Sequence, residues 1–128
     1  MNANAPGRVD PTPPAVEPLQ ALYPACELLR ALASPVRLGI LRQLAEGGRC
    51  VHELVAALEV SQPLVSQHLR VLRGADIVVA RRVSREIEYS LVDEHIAHIV
   101  LDAIRHTTEL PAHGQDDDRD AGPVPPGG

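Results

Sequence analysis

The chain of 128 residues contains no Trp and no Phe, and its only aromatic residues are two Tyr. A hydrophobic core must therefore be built from Leu, Val, Ile and Ala. Two cysteines are too few for the disulfide framework of a small secreted domain. No run reaches the roughly 18 apolar residues of a membrane-spanning helix, and the N-terminus lacks a charged and then apolar signal pattern. We therefore expect a cytoplasmic protein with reduced cysteines and no membrane partner.

Pro and Gly are concentrated at the two ends of the chain. The first twenty residues contain five Pro, and the last eighteen contain an Asp run at 116–118 and end in Pro-Pro-Gly-Gly. These compositions predict disordered tails at 1–20 and 111–128, the second acidic, around one folded domain at 21–110. The core of such a domain is small, so the interface of a homodimer would add useful burial.

Apolar residues at helical spacing predict three helices before residue 60. The first is opened by Pro24 and ends at Ser34, with Cys26 buried among leucines. Ser34 caps the second, and two glycines at 47–48 stop it. Cys50 caps the third, with Glu53 completing a capping box. The residues predicted to face inward from the second and third helices are Leu38, Ile40, Leu41, Leu44, Leu54, Ala57 and Leu58.

A fourth helix, capped by Ser61, has the pattern of a helix that reads DNA. Val65, Leu69 and Leu72 form its apolar face, and His68 beside them is interpreted as a partly buried packing residue. The opposite face is polar. Gln and Arg hydrogen-bond base edges in the major groove, and Ser reaches phosphates. The predicted DNA-contacting residues of this helix are Gln62, Ser66, Gln67, Arg70 and Arg73.

After Asp76 the pattern changes from helical to alternating, as in paired β-strands. Ile77 and Val79 mark one strand, and Ile87, Tyr89 and Leu91 mark the next. The hairpin between them carries the basic residues Arg81, Arg82 and Arg85, which would lie on the phosphate backbone or the minor groove. Although the formal net charge is −5, this part of the chain is strongly basic, so double-stranded DNA remains a suitable partner.

The last apolar helical pattern carries four potential metal ligands: Asp93, His95, His106 and Glu109. Eleven positions separate the histidines, so they share a helix face within about 20° but lie about 16 Å apart along the axis. One helix cannot close this site, whereas two antiparallel copies in a twofold dimer can. Two imidazoles and two carboxylates suit Zn(II), and also Co(II) or Ni(II). An ordinary helix cap at Asp93 with three solvated surface residues is the alternative.

Three segments resemble the ArsR/SmtB family of winged-helix repressors: residues 31–38 (ALASPVRL), 61–72 (SQPLVSQHLRVL) and the hairpin end at 89–91 (YSL). The resemblance implies an α+β fold, mostly α, which is a winged helix-turn-helix with a C-terminal dimerisation helix. It also implies that Asp93, His95, His106 and Glu109 correspond to the zinc site that SmtB-type sensors share between protomers. Such a homodimer binds an operator palindrome when metal-free and releases it on binding Zn(II).

The family's second, thiolate-rich metal site is matched only by Cys50 and His52. The chain before Pro24 has no Cys or His, and Glu86 stands at a hairpin position where some members have a histidine. The sequence therefore predicts that the second metal site is incomplete. In the turn before the hairpin and at the hairpin's tip, the chain has Asp76 and Ser84, where family members commonly have Gly.

Other functions stay open beside the metal-sensing repressor. A thiol-based redox or persulfide sensor of the same fold would use Cys26 and Cys50. A winged helix that binds protein in place of DNA would need zinc only for folding. Within the metal-sensing alternative, His98 or His113 could join an expanded metal shell. An enzyme acting on a small organic substrate is disfavoured, because four protein ligands leave zinc no open position for water.

Overall fold

The computed structural model describes residues 18–109. The two predicted tails fall almost wholly outside these residues, as does His113. The chain forms two compact units that divide between Arg30 and Ala31. The first contains a 3₁₀ helix at Leu19–Leu22 and most of α1 (Tyr23–Leu32). Helix α1 therefore begins one residue before Pro24, close to the predicted start.

The second unit alternates short helices with a small sheet. Its elements are α2 (Pro35–Leu44), β1 (Arg49–Cys50), α3 (Val51–Leu58), α4 (Gln62–Gly74), β2 (Val78–Val83), β3 (Glu86–Leu91) and α5 (Glu94–Glu109). The predicted α+β, mostly helical architecture is confirmed. Among residues 18–109, no helix combines the length and the apolar character needed to cross a membrane.

Serine caps begin α2 and α4, as the sequence predicts. The Oγ atom of Ser34 accepts a hydrogen bond from the backbone N–H of Arg37 at 3.2 Å, and Ser61 Oγ accepts one from Leu64 N–H at 3.3 Å. Each helix has Pro in its first turn, where a missing N–H leaves no helical hydrogen bond unmade. These caps fix where α2 and α4 begin.

The core of the second unit is aliphatic. Its buried residues are Leu32, Ile40, Leu41, Leu44, Leu54, Val65, Leu69, Leu72, Ile77, Val78, Ile96 and Val100. Leu38 and Leu58 are half-buried, and Ala57 is exposed, so the prediction that Ala57 faces inward is wrong. Helix α3 is barely two turns long, and its inner stripe runs through Val51, Leu54 and Leu58. Ala57 falls beside that stripe.

The strands form an antiparallel sheet in the order β1-β3-β2. Strand β1 is an element that the sequence analysis did not predict, and it pairs Cys50 with Glu88 of β3. In β2, Val78 is buried whereas Val79 is 46% exposed. Ile77 N–H still bonds to the carbonyl of Leu72, so the strand alternation starts one residue later than expected.

Two residues with positive φ shape the β2–β3 hairpin and the turn before it. Asp76 has φ 60° and Ser84 has φ 59°, and these are the positions where family members commonly have Gly. Asp accepts this left-handed conformation more readily than most residues. Ser84 is the first residue of a two-residue loop, since Val83 pairs with Glu86. The hairpin therefore closes tightly without glycine.

Candidate DNA-binding surface and metal ligands

The polar face of α4 is open to solvent. Gln62, Gln67, Arg70 and Arg73 are exposed, whereas Ser66 is half-buried. On the opposite face Val65, Leu69 and Leu72 are at most 1% exposed. The helix is thus held by its apolar side and presents the predicted donor-rich side outward. His68 is half-buried between these faces, as predicted.

The β2–β3 hairpin, which we call the wing, presents three exposed arginines: Arg81, Arg82 and Arg85. They differ in their neighbours. Arg81 Nη2 lies 3.3 Å from Glu88 Oε1 on the paired strand. Within residues 18–109, no carboxylate lies within ion-pair distance of Arg82 or Arg85. Arg82 and Arg85 are therefore more available than Arg81 to neutralise phosphates.

Asp93 stands at the start of α5 and has two neighbours. Its Oδ1 accepts a hydrogen bond from Ile96 N–H at 3.2 Å, which caps the helix. Its Oδ2 lies 3.6 Å from Nδ1 of His95. The alternative reading of Asp93 as a helix cap is thus correct in part. Capping occupies one carboxylate oxygen and leaves the other directed towards an exposed imidazole.

His106 and Glu109 lie in the last turn of α5, and both are exposed. At 1.5 Å per residue they stand about 16 Å or more from His95. A single chain therefore brings together only Asp93 and His95 of the four predicted ligands. His98 is exposed on the same helix, one turn after His95.

A different set of potential ligands meets within one chain. Cys50, His52 and Glu86 each offer one atom, and these atoms lie within 4.8 Å of one another. Cys50 Sγ donates a hydrogen bond to Glu86 Oε1 at 3.0 Å, and His52 Nδ1 lies 3.5 Å from Glu86 Oε2. Sequence analysis treated Glu86 as a departure from a ligand pattern. Its closeness to Cys50 follows from the β1–β3 pairing, which no sequence signal indicated.

The environment of Cys50 holds its thiol in the protonated form. Its backbone N–H donates to Glu53 Oε1 at 2.8 Å, which confirms the predicted capping interaction. The hydrogen bond to Glu86, with a smaller effect of burial, raises the pKa of the Cys50 thiol to about 11. A thiol of this kind is a poor nucleophile at neutral pH.

Cys26 is exposed, so the prediction that it is a buried residue is wrong. Within the first unit Leu28 alone is half-buried, and the other described residues are exposed. A single short helix has no second layer of its own against which to bury an apolar face. Arg30 Nη2 lies 3.7 Å from the Cys26 sulfur.

Comparison with known proteins agrees with this arrangement. Residues 34–79, from the cap of α2 to the start of β2, match the family described as bacterial regulatory protein, arsR family. The transcriptional repressor SmtB of Mycobacterium tuberculosis is 59% identical over 99 residues, which are 77% of this chain and 73% of the relative. The transcriptional regulator NmtR of the same species is 41% identical over 110 residues, which are 86% and 90% of the two chains.

A solved structure shows the same fold. It is a homodimeric winged helix-turn-helix DNA-binding domain from Mycobacterium bovis, described as a possible ArsR-family transcriptional regulator. The likeness has a TM-score of 0.65 and 27% sequence identity, and it covers 77% of this chain and 93% of that one. Helix α4 and the wing thus belong to a DNA-binding fold, and the family and these relatives are transcriptional regulators, not enzymes. This chain is an SmtB-like member of the ArsR/SmtB family of winged helix-turn-helix transcriptional repressors.

Proposed function

We propose that the protein is a homodimeric repressor that binds operator DNA in the metal-free state and leaves it when Zn(II) binds. Co(II) and Ni(II) suit the same donor set. Each of two symmetric sites would combine Asp93 and His95 of one protomer with His106 and Glu109 of the partner subunit. The observation that carries this proposal is the position of two exposed ligand pairs at opposite ends of α5.

The residues fit a zinc site in chemistry and access. Two neutral imidazoles and two carboxylates are ordinary zinc ligands, and four of them complete a tetrahedron. Asp93 Oδ2 and His95 Nδ1 already lie close together, so one half of the site is formed before any partner arrives. The capping bond from Ile96 N–H to Asp93 Oδ1 fixes the orientation of this carboxylate. Preorganisation of this kind lowers the cost of binding.

DNA binding would use α4 and the wing. The Gln and Arg side chains of α4 would enter the major groove, and Arg82 and Arg85 would lie on phosphates. Because a homodimer presents two copies of α4, its operator should be a palindrome with half-sites about one helical turn apart. The negative charge of the whole chain does not oppose this, since α4 and the wing together expose five arginines against one carboxylate, that of Glu86.

The start of α5 is linked directly to the wing. Only Val92 and Asp93 separate β3 from α5, and Val92 N–H donates to the carbonyl of Ile77 at 3.0 Å. Ile77 in turn is bonded through its own N–H to Leu72 at the end of α4. A displacement of Asp93 would therefore be transmitted to the wing and to α4 through these two backbone hydrogen bonds. We infer that metal selects a dimer geometry in which the two α4 helices no longer match successive major grooves.

Operator binding with and without zinc tests the proposal. A duplex from the promoter upstream of the gene would be titrated with the purified dimer by fluorescence anisotropy. Zinc should weaken binding by the wild type, whereas His106→Ala should stay bound. Thr107→Ala, at an exposed position on the same helix, is the matched control and should respond as the wild type does. Release of His106→Ala by zinc would refute the interprotomer site.

Linkage offers an independent check of the same proposal. Allosteric coupling is typically 1–3 kcal/mol and reciprocal, so operator DNA must weaken zinc binding by the factor by which zinc weakens DNA binding. Competition with a chromophoric chelator, with and without operator, would measure this factor. Equal zinc affinity in both cases would exclude allosteric release.

A further inference from the structure

Ser84 stands at the tip of the wing, where its hydroxyl is open to solvent. It is the first residue of the two-residue loop between β2 and β3, has φ 59° and is exposed. Of the other serines that the structure describes, Ser34 and Ser61 cap helices, and Ser66 and Ser90 are half-buried. Within this part of the chain, Ser84 is therefore the serine whose hydroxyl a second protein reaches most readily.

Arginines flank Ser84 in the sequence. Arg81 and Arg82 stand three and two residues before it, and Arg85 follows it directly. All three arginines are exposed, and no carboxylate of residues 18–109 lies within ion-pair distance of Arg82 or Arg85. Two arginines shortly before a serine are the pattern that basophilic serine kinases recognise, because carboxylates in the kinase cleft bind guanidinium groups through paired hydrogen bonds.

The backbone before Ser84 also suits a kinase cleft, since such clefts bind the residues before the target serine in an extended conformation. Arg81, Arg82 and Val83 are already extended, as the last residues of β2. Strand β2 lies at the edge of the sheet, whose order is β1-β3-β2. Its outer edge therefore has no strand partner among the described residues, and a kinase can approach that edge while β3 stays paired.

We propose that Ser84 is a phosphorylation site for a basophilic serine kinase, and that the phosphate releases the wing from DNA. In the transfer, Ser84 Oγ bonds to the γ-phosphorus of ATP as the bond from that phosphorus to the β–γ bridging oxygen breaks. ADP leaves with the electron pair of that bond, and the hydroxyl proton passes to a catalytic carboxylate of the kinase. The inference rests on the DNA-binding part of the proposed function, but it requires neither zinc nor the α5 ligands.

A phosphate at Ser84 would change the charge of the wing. Residues 81–86 carry three arginines against one glutamate, and phosphoserine adds a charge of about −2 at pH 7. The net positive charge of the tip would thus be cancelled. The phosphate oxygens would also accept hydrogen bonds from Arg82 and Arg85. The same two guanidinium groups would then be lost to DNA phosphates.

Phosphorylation by a basophilic kinase tests the site itself. The purified full-length dimer would be incubated with ATP, magnesium and the catalytic subunit of cAMP-dependent protein kinase, and the product would be mapped by mass spectrometry. We expect one phosphate per protomer, at Ser84, and a rate at least tenfold lower in Arg82→Ala. Arg105→Ala on α5 is the matched control and should react as the wild type does. No phosphate at Ser84, or an undiminished rate in Arg82→Ala, would overturn the proposal.

DNA binding by the phosphorylated protein tests the consequence. The metal-free phosphorylated dimer should bind the promoter duplex at least tenfold more weakly, with a salt slope smaller by about 2 for each wing. Ser84→Asn, treated with the same kinase, is the control. Asn tolerates the left-handed conformation but accepts no phosphate, so DNA binding by this variant should not change.

The zinc-site variant separates this effect from metal sensing. His106→Ala should lose DNA affinity on phosphorylation by the same factor as the wild type, because the phosphate acts on the wing directly. Equal DNA affinity before and after complete phosphorylation of Ser84 would overturn the proposal. None of these results depends on zinc-induced DNA release.

Discussion

Arg37 Nε donates a hydrogen bond to Nδ1 of His68 at 3.0 Å and thereby joins α2 to the middle of α4. The same guanidinium donates from Nη1 to the carbonyl of Ala31 at 3.1 Å. Because His68 Nδ1 accepts, this imidazole is neutral and carries its proton on Nε2. Burial, and then the charge of Arg37, lower the pKa of His68 from 6.5. The orientation of α4 thus depends in part on His68 being unprotonated.

Acidification should therefore weaken the fold through His68. Above pH 6.5 the residue is neutral in both folded and unfolded chains. Below that pH the unfolded chain takes up a proton that the folded chain resists, so the free energy of unfolding falls. Urea unfolding at pH 7.5 and 5.5 should show a smaller loss of stability in His68→Gln than in the wild type.

Two features make this measurement specific. Gln offers Arg37 an acceptor without a titratable group, and His98→Gln reports how much of the pH dependence an exposed histidine carries. All variants should be compared at one protein concentration, because unfolding of a dimer depends on concentration. An equal loss of stability in His68→Gln and the wild type would contradict the role given to His68.

The Ser61 cap should contribute measurably to stability. Its Oγ satisfies the N–H of Leu64 in the first turn of α4, so Ser61→Ala should lower the free energy of unfolding by about 1 kcal/mol. Ser61→Asn retains an acceptor and serves as the control, with a loss well below that of Ser61→Ala. Urea denaturation measures both, and equal losses in the two variants would show that capping is not the cause.

The wing arginines should set part of the salt dependence of DNA binding. Arg82 is exposed and lies on β2 opposite Ile87, so Arg82→Ala should weaken binding to all duplexes and reduce the salt slope by about 1. Arg105→Ala is the control. Arg105 lies on α5, away from the wing, and its Nη1 is 3.2 Å from Asp102 Oδ1. Anisotropy titrations at several salt concentrations give the slope. A slope unchanged by Arg82→Ala would remove this residue from the DNA interface.

Cys50 should alkylate slowly in the metal-free protein. With a pKa of about 11, fewer than about one thiol in a thousand is ionised at pH 7.5. In a Cys26→Ser background, Glu86→Gln should raise the rate of reaction with iodoacetamide, because it removes the charged hydrogen-bond acceptor that stabilises the thiol. Glu59→Gln, at the other end of α3, should leave the rate unchanged.

The same experiment bears on the thiol-sensor alternative. A redox or persulfide sensor needs an ionised, accessible thiolate, which the contact between Cys50 and Glu86 disfavours. Rapid alkylation of Cys50 in the wild type would contradict our account and strengthen that alternative. Slow alkylation would leave Cys26, which is exposed, as the reactive thiol.

Local signals in the sequence were sufficient for most elements of the fold. Caps at Ser34 and Ser61, and the spacing of Val65, Leu69 and Leu72, depend on neighbours within one or two turns. Such short-range interactions produce residue patterns that can be recognised in the sequence. The error at Ala57 arose because α3 is short. Strand β2 begins at Val78 and not at Ile77, because Ile77 is still bonded to Leu72 of α4. Local periodicity does not resolve shifts of one position.

The sequence by itself determined the two-faced helix α4, the basic wing and the positions of the four proposed metal ligands at the two ends of α5, because each is a local pattern on one element. Only the tertiary structure decided that Asp93 caps α5 while it faces His95, and that Arg37 reaches His68. It also brought Glu86 to Cys50 and His52. These pairs join residues whose closeness depends on strand register, capping geometry or helix packing, and such contacts form only when distant segments fold against each other.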